Sequence, residues 1–320
     1  MRNQQRNAVA MFRWAIGALA LITVASRSVA ATDAPKNLSI HAVAASVYVH
    51  LGAQADASLE NRGDIANIGF IVGKRCIAVI DSGGTLQIGQ QLSAAIRSVS
   101  QLPICYVINT HVHPDHVFGN AAFVGPDTEF VGHSHLPAAF AARRENYLNA
   151  LTRVLGDTAV GSVVVPPTIL ITDTLELDLG ERKLTLTAWR TSHTDGDLTI
   201  FDAASQTLWT GDLLFIERTP VIDGSVRGWL TTLDELSKQR PAHVVPGHGP
   251  VDPPWPQAID AEAHYLNILI SDVTSAQRNG RTLSQTVETA GLSERNQWLL
   301  FDNYNRRNVT ACYTELEWED

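Results

Sequence analysis

Short apolar runs alternate with longer stretches of helical spacing from residue 40 onward. Val47-Tyr-Val-His and Ile68-Gly-Phe-Ile-Val have the length and the β-branched or aromatic character of strands. Residues 76–80 form another apolar run, closed by the turn-forming segment Asp81-Ser-Gly-Gly. Residues 87–99 place apolar side chains at helical intervals. A strand over 104–109 then runs straight into a histidine-rich segment, and a strand over 128–131 precedes a helix over 136–155. The second half repeats the alternation. Strands are expected at 169–171, 175–179, 183–189, 198–201 and 207–210, then a helix at 228–238 and a short strand at Val244-Val245. Helices at 258–278 and 283–289 follow. No long linker, low-complexity tract or repeat interrupts the pattern. Two sets of strands, each covered by helices, predict an α/β fold arranged as a four-layer αββα sandwich. The His/Asp clusters follow strands, so loops distant in sequence can converge on one cleft.

Composition narrows the picture. With 320 residues, 45% hydrophobic, the chain can bury a sizeable core. Its formal net charge of −9 argues against a general nucleic-acid binder or a protein docked on anionic lipid. The first thirty residues read as a cleavable export signal. Arg2, Arg6 and Arg13 precede the apolar run 14–25, which is short for a membrane span, and Ser28-Val-Ala30 supplies small residues for cleavage before Ala31. Cleavage there removes four arginines and no acid, leaving twenty basic against 33 acidic residues, a formal −13. The expected organisation is therefore a signal over 1–30 and one domain over 31–320 that includes a C-terminal helical segment, with no membrane anchor after cleavage and a periplasmic or secreted location. Three cysteines are not a disulfide framework. Cys76 and Cys105 sit in apolar strand-like runs and read as buried small residues, which leaves room for one disulfide at most.

The chemistry concentrates in Thr110-His111-Val-His113-Pro-Asp115-His116. His111 and His113, two apart after a strand, can reach one cation, while Asp115 and His116 can face a second. Thr191-Ser-His193, Thr210-Gly-Asp212 and Pro246-Gly-His248-Gly add two imidazoles and a carboxylate, each close to the end of an expected strand. Neutral imidazole with carboxylate suits zinc. Two such cations about 3.5–4 Å apart can share a carboxylate and a water, and lower that water's pKa toward ~7. No Ser or Cys nucleophile is then required.

These residues, in this order, resemble the metallo-β-lactamase superfamily over nearly the whole chain after residue 30. The resemblance implies two Zn2+ per chain and a metal-bridged hydroxide as nucleophile. It implies His111, His113 and His193 on the first ion, Asp115, His116 and His248 on the second, and Asp212 bridging both. Asp115 and Asp212 would be the catalytic carboxylates, and Asp81 would stand behind the ligands and orient one of them. His113, where iron-binding relatives carry Glu, favours zinc. Asp212, where many true β-lactamases of the superfamily have Cys or Ser, resembles the general hydrolase branch that includes thioesterases of the glyoxalase II kind. The wording of residues 111–123 and 210–229, with the ending Glu315-Leu-Glu-Trp-Glu319, is similar to zinc metallohydrolases of quinoprotein-relay and sulfur-oxidation systems. That similarity implies a small-molecule substrate and an association with a periplasmic dehydrogenase, without supplying a reaction. β-Lactamase or thioesterase activity, a di-iron redox protein and a non-catalytic accessory protein stand as the alternatives.

Other residues have plainer expected roles. His133 and His135 lack downstream partners and read as structural or surface histidines. Arg218, Asp223 and Arg227 read either as the mouth of the cleft, selecting a polar or anionic substrate, or as a solvated loop with internal ion pairs. Asn120 is expected to cap a helix. Trp298, Tyr304 and Trp318 are expected to pack on the sandwich. Asn308-Val-Thr310 matches a glycosylation acceptor by a pattern common by chance.

Overall fold

The structure, a computed structural model, describes residues 38–317. The expected signal segment and Trp318 lie outside the described residues. Among them, β1 (His41–Ala44), β2 (Val47–His50), β3 (Ile68–Val72), β4 (Ile77–Ile80), β5 (Ile104–Ile108), β6 (Glu129–His133) and β7 (Ile169–Ile171) form one sheet in chain order. Its first half is antiparallel, whereas β4 to β7 run parallel. A second sheet has the order β12-β11-β10-β9-β8, built from β8 (Thr174–Asp178), β9 (Lys183–Ala188), β10 (Leu198–Asp202), β11 (Thr207–Phe215) and β12 (His243–His248).

The period of two in each strand decides which layer a side chain joins. In β4, Ile77 and Val79 face helix α1 (Leu86–Val99), where they meet Ile88, Leu92 and Ile96. Ala78 and Ile80 point the other way, into the layer between the sheets, with Leu184, Leu186, Ile200, Trp209 and Val245. All four residues of β4 are buried, as expected of a strand covered on both faces. On the far side, Leu208, Leu213 and Val244 pack against α4 (Val226–Leu236), α5 (Gln257–Arg278) and α7 (Phe301–Glu317) through Trp229, Tyr265, Leu269 and Val309. Sheet on sheet, with helices on both outer faces, makes the αββα sandwich. The short helix α2 (Pro114–Val117) and the longer α3 (Leu136–Leu155) lie near the β5 and β6 ends, and α6 (Leu283–Val287) precedes α7.

A buried ion pair ties the two sheets together at one end. Arg182, in the β8–β9 turn, donates from Nε to Asp202 Oδ1 (3.0 Å), from Nη1 to Val72 O (3.1 Å) and from Nη2 to Ala45 O (3.0 Å). One guanidinium thus clamps the β1–β2 turn and the end of β3 to the second sheet.

Several expectations need correction. β1 carries little signal in the sequence, because His-Ala-Val-Ala is short, two of its residues are exposed, and only Val43 and Ala44 reach the core, half-buried. β11 runs five residues past Thr210, its register with β12 shifting at Gly211, whose φ of +51° breaks the strand pattern in the sequence. Cys76 and Cys105 form a disulfide with Cα atoms 5.8 Å apart, joining the start of β4 to its parallel neighbour β5, while Cys312 is buried in α7. Asn120 caps nothing through its side chain. Its amide instead pairs with Asn109 and accepts a hydrogen bond from Ser82 Oγ (2.7 Å) in a buried polar network beneath the site. Asn308 is fully buried, holding Ile222 N, Pro220 O and Tyr265 OH, so it is closed to glycosylation.

Candidate metal centre

The sequence-predicted residues meet at one edge of the sandwich. Asp81 follows β4, and His111, His113, Asp115 and His116 follow β5. His193 comes from the β9–β10 loop, Asp212 from within β11, and His248 closes β12. Two backbone features allow this convergence. Asp81 has a φ of +54°, a left-handed conformation that Asp tolerates better than most residues. Gly247 passes so close to Asp212 that a Cβ there would lie 1.9 Å from Asp212 Oδ1, so only glycine fits.

His111, His113, His193 and Asp212 offer one ligand atom each to a common group, and Asp115, His116 and His248 form a second; within each group the atoms lie within 4.8 Å of one another. Asp212 reaches both. Its Oδ2 lies 3.6 Å from His111 Nε2, 3.5 Å from His193 Nε2 and 3.3 Å from His248 Nε2, and its Oδ1 lies 3.2 Å from His116 Nε2. Asp115 Oδ2 is 3.4 Å from His248 Nε2 and 3.7 Å from His116 Nε2.

The opposite ring nitrogens decide what this arrangement can hold. His193 Nδ1 meets the carbonyl of Val221 (2.6 Å) and His248 Nδ1 that of Ile65 (2.8 Å). His116 Nδ1 meets Asp81 Oδ2 (2.7 Å), and His113 Nε2 meets Asp223 Oδ2 (3.1 Å). Carbonyls and carboxylates only accept, so these four ring nitrogens carry the protons. Thr110 Oγ1 donates to Asp81 Oδ2 (2.8 Å) and is left to accept from His111 Nδ1 (2.9 Å). Every neutral ring therefore aims a bare lone pair inward. His113 Nδ1 stands 2.9 Å from His193 Nε2 and 3.1 Å from His111 Nε2, contacts that repel unless a cation lies among them. His116 Nε2 and Asp212 Oδ1 are buried with no hydrogen-bond partner. The donor set fits metal cations, and the outer partners are those that orient metal-bound imidazoles.

The electrostatics divide the rings: burial opposes a charged His116, but Asp212, Asp81 and Asp115 favour it, so that ring would give up its inner proton to a cation. Burial, reinforced by His116, holds the His111 pKa well below the usual imidazole value. Burial and the neighbouring His113 bring His193 down to about 3, so both rings stay neutral. Burial would raise Asp212, but His248, His116 and His111 outweigh it and keep the carboxyl ionised.

Expected roles shift at the rim. Asp223 contacts a ring of the centre and also pairs with Arg143 (3.5 Å) and Arg307 (3.3 Å). Arg218 is buried beside His248, whereas Arg227 is exposed in the first turn of α4. Tyr304 does more than pack: its hydroxyl accepts from Arg218 Nη2 (3.1 Å) and donates to Asp56 (2.5 Å) at the cleft. His133 and His135 fall outside both ligand groups, and His135 Nδ1 instead meets Asp195 O (2.7 Å). Tyr147, Arg143 and Arg307 escaped the sequence reading. They sit on α3 and α7 with no motif around them, and only folding brings Tyr147 and Arg307 to the cleft and Arg143 to Asp223.

Residues 61–248 match the sequence profile of the Metallo-beta-lactamase superfamily, more than half of the chain, and the protein belongs to that superfamily. Among solved structures, the stereoselective inverting sec-alkylsulfatase Pisa1 from Pseudomonas sp. superimposes with a TM-score of 0.67 at 15% identity, covering 87% of this chain and 50% of its own. A metallo-beta-lactamase from Pontibacter korlensis gives a TM-score of 0.58 at 16% identity, covering 72% of this chain and 99% of its own. This chain spans about half the length of the alkylsulfatase, and at these identities the likeness is one of fold. No curated protein sequence matches the chain.

Proposed function

We propose that the protein is a binuclear zinc hydrolase. One observation carries this reading: five imidazoles, each with its outer nitrogen bound to an oxygen and its inner nitrogen turned inward, surround the Asp212 carboxylate. His111, His113 and His193 would hold one ion, Asp115, His116 and His248 the other, and Asp212 both. Bound there, the ions would supply Lewis acidity and a water acidic enough to act at neutral pH. His at position 113 supports zinc over iron.

The chain's own residues supply the rest. Asp115, part-buried at the cleft, sits where it can orient a water and take its proton. Tyr147 lines the same cavity. Burial and Asp223 raise its pKa well above the usual phenol value, so its hydroxyl stays a neutral donor for a developing oxyanion.

Export belongs to the same proposal. The apolar run after Arg13 and the Cys76–Cys105 disulfide both suit an oxidising compartment, since disulfides persist chiefly outside the cytosol. An association with periplasmic quinoprotein systems rests on the wording of residues 111–123 and 210–229.

The test is hydrolysis by zinc-loaded protein of a β-lactam, a glutathione thioester, a lactone, a phosphodiester and a secondary alkyl sulfate, beside metal analysis. We expect two zinc ions per chain and turnover of at least one ester class, abolished in Asp115→Ala. Two metals with no difference between wild type and Asp115→Ala on any substrate would overturn the reading.

A further inference from the structure

The rim of the centre carries more positive charge than its own carboxylates neutralise. Arg218 is 3% exposed, yet among the described residues no carboxylate lies within 4.0 Å of it. Its Nε has no partner, and its Nη1 has only a long bond to Ala55 O (3.4 Å). The 3.2 Å approach of Nη1 to His248 Nδ1 adds no acceptor, because that nitrogen already donates to Ile65 O. Tyr304 OH accepts from Nη2, the one short bond the group makes to an oxygen. Burying a charge on such terms is costly unless something compensates it.

The metal centre does not compensate it. Asp81, Asp115 and Asp212, together with one metal-bound hydroxide, would bring four negative charges against the four positive charges of two divalent ions, leaving none for Arg218. Arg218 is then surplus. Arg143 and Arg307 stand at the same mouth and share a single carboxylate, Asp223, which His113 also uses. All this occurs in a chain whose formal net charge is −9. The basic mouth is therefore a local construction.

The cleft has two lobes. One, of about 230 Å³, is lined by His113, Asp115, His248, Arg218, Arg307 and Tyr147. The other, of about 550 Å³, shares Ile65, Pro114, Asp115 and Tyr304 with the first and extends to Ala57, Leu151 and Val154. Its wall at Ala57, Leu151 and Val154 is apolar, while Asp56 and Asn303 line it beside Tyr304.

We propose that the substrate is an anionic amphiphile. Its negatively charged head lies toward Arg218 and Arg307, and its apolar part lies toward Leu151 and Val154, with the scissile bond between them at Asp115. Arg307, which is half-exposed, captures the head; Arg218, buried, gains from it the direct ion-pair partner it lacks. The inference rests on the hydrolase reading for the presence of the metals, but its test reads binding.

Titration calorimetry of zinc-loaded protein with octanoate, octyl sulfate, octyl phosphate and the neutral octanamide provides that test. At least one anion should bind about tenfold or more tightly than octanamide, and which one does so identifies the head group. Arg307→Gln should weaken that anion about tenfold and leave octanamide unchanged, with zinc content intact. Arg218→Gln should do the same if it folds; the exposed Arg307 keeps the test decisive if it does not. Acetate should bind far more weakly than octanoate if the apolar lobe is used. Equal binding of anions and octanamide, or anion binding unaffected in Arg307→Gln, would overturn the proposal. Anion preference in a protein that turns over nothing would count against the hydrolase reading alone, whereas turnover of neutral esters without anion preference would count against this inference alone.

Discussion

Asp81 accepts from three groups at once: Thr110 N (2.9 Å), Thr110 Oγ1 (2.8 Å) and His116 Nδ1 (2.7 Å). Through Thr110 it also sets the tautomer of His111, so one carboxylate orients a ring in each ligand group. Burial disfavours a charged His116, but Asp212, Asp81 and Asp115 outweigh it and hold that pKa well above the usual imidazole value in the protein's own field. Asp81→Asn isolates the charge, because Asn also tolerates a positive φ and keeps the shape. We expect metal affinity to fall about 10- to 100-fold, as for other groups that orient metal-bound imidazoles. Competition with a chromophoric chelator measures this, and an unchanged affinity would show that Asp81 serves the backbone alone. The role expected of Asp81 was legible because Asp after a strand belongs to a recognisable order of motifs. The contact of Asp223 with His113 was not, since 110 residues separate them and nothing in the spacing joins them.

At the scale of elements, strands were easier to find than their ends. α1 could be placed because its apolar positions repeat at helical spacing, and β4 because its short apolar run is closed by the turn-forming Asp81-Ser-Gly-Gly. β1 and the second half of β11 could not, because pairing with neighbours, rather than their own pattern, makes them strands. The Arg182–Asp202 pair shows the same dependence on folding. Arg182→Ala would leave Asp202 ionised and buried and would free two carbonyls, which should cost about 3–5 kcal/mol in denaturant unfolding. Burial would raise the Asp202 pKa, but Arg182 and Ser205 outweigh it and depress it below the usual carboxylate value. A depressed pKa contributes stability above the unfolded value of about 3.9, lost as pH falls through the folded value. Wild type should therefore lose part of its margin over Arg182→Ala in acid below about pH 4. A difference that is flat with pH would mean that the clamp acts through its carbonyl bonds alone.

The whole molecule is organised around an edge where both sheets end. Four strands or their following loops from the two sheets deliver the ligands, so the centre links elements that otherwise touch through the apolar layer between the sheets. Without cations, that edge buries the inward-facing nitrogens of His111, His113 and His193 against one another. Chelation should therefore lower the unfolding temperature. A metal at a hundredfold excess over its Kd contributes about 2.7 kcal/mol, or roughly 5–10 °C for a domain of this size. Differential scanning fluorimetry with and without chelator, followed by zinc addition, measures the loss and its recovery. An unchanged midpoint after verified metal removal would show that the edge is held by its hydrogen bonds.

By itself, the sequence determined the layer order and the metal-ligand candidates. Periodicity is a local property of strands and helices, and the ligands sit in short motifs at strand ends, where residue type and spacing carry the chemistry. Tertiary structure alone decided the disulfide, the tautomers of the five rings and the charge of the cleft mouth. Cys76 and Cys105 look like ordinary core residues until β4 and β5 lie side by side. Val221 O and Ile65 O are backbone atoms that any sequence would supply. Arg143, Arg218 and Arg307 come from separate elements, and the field they create depends on which carboxylates folding brings near them and which it leaves away.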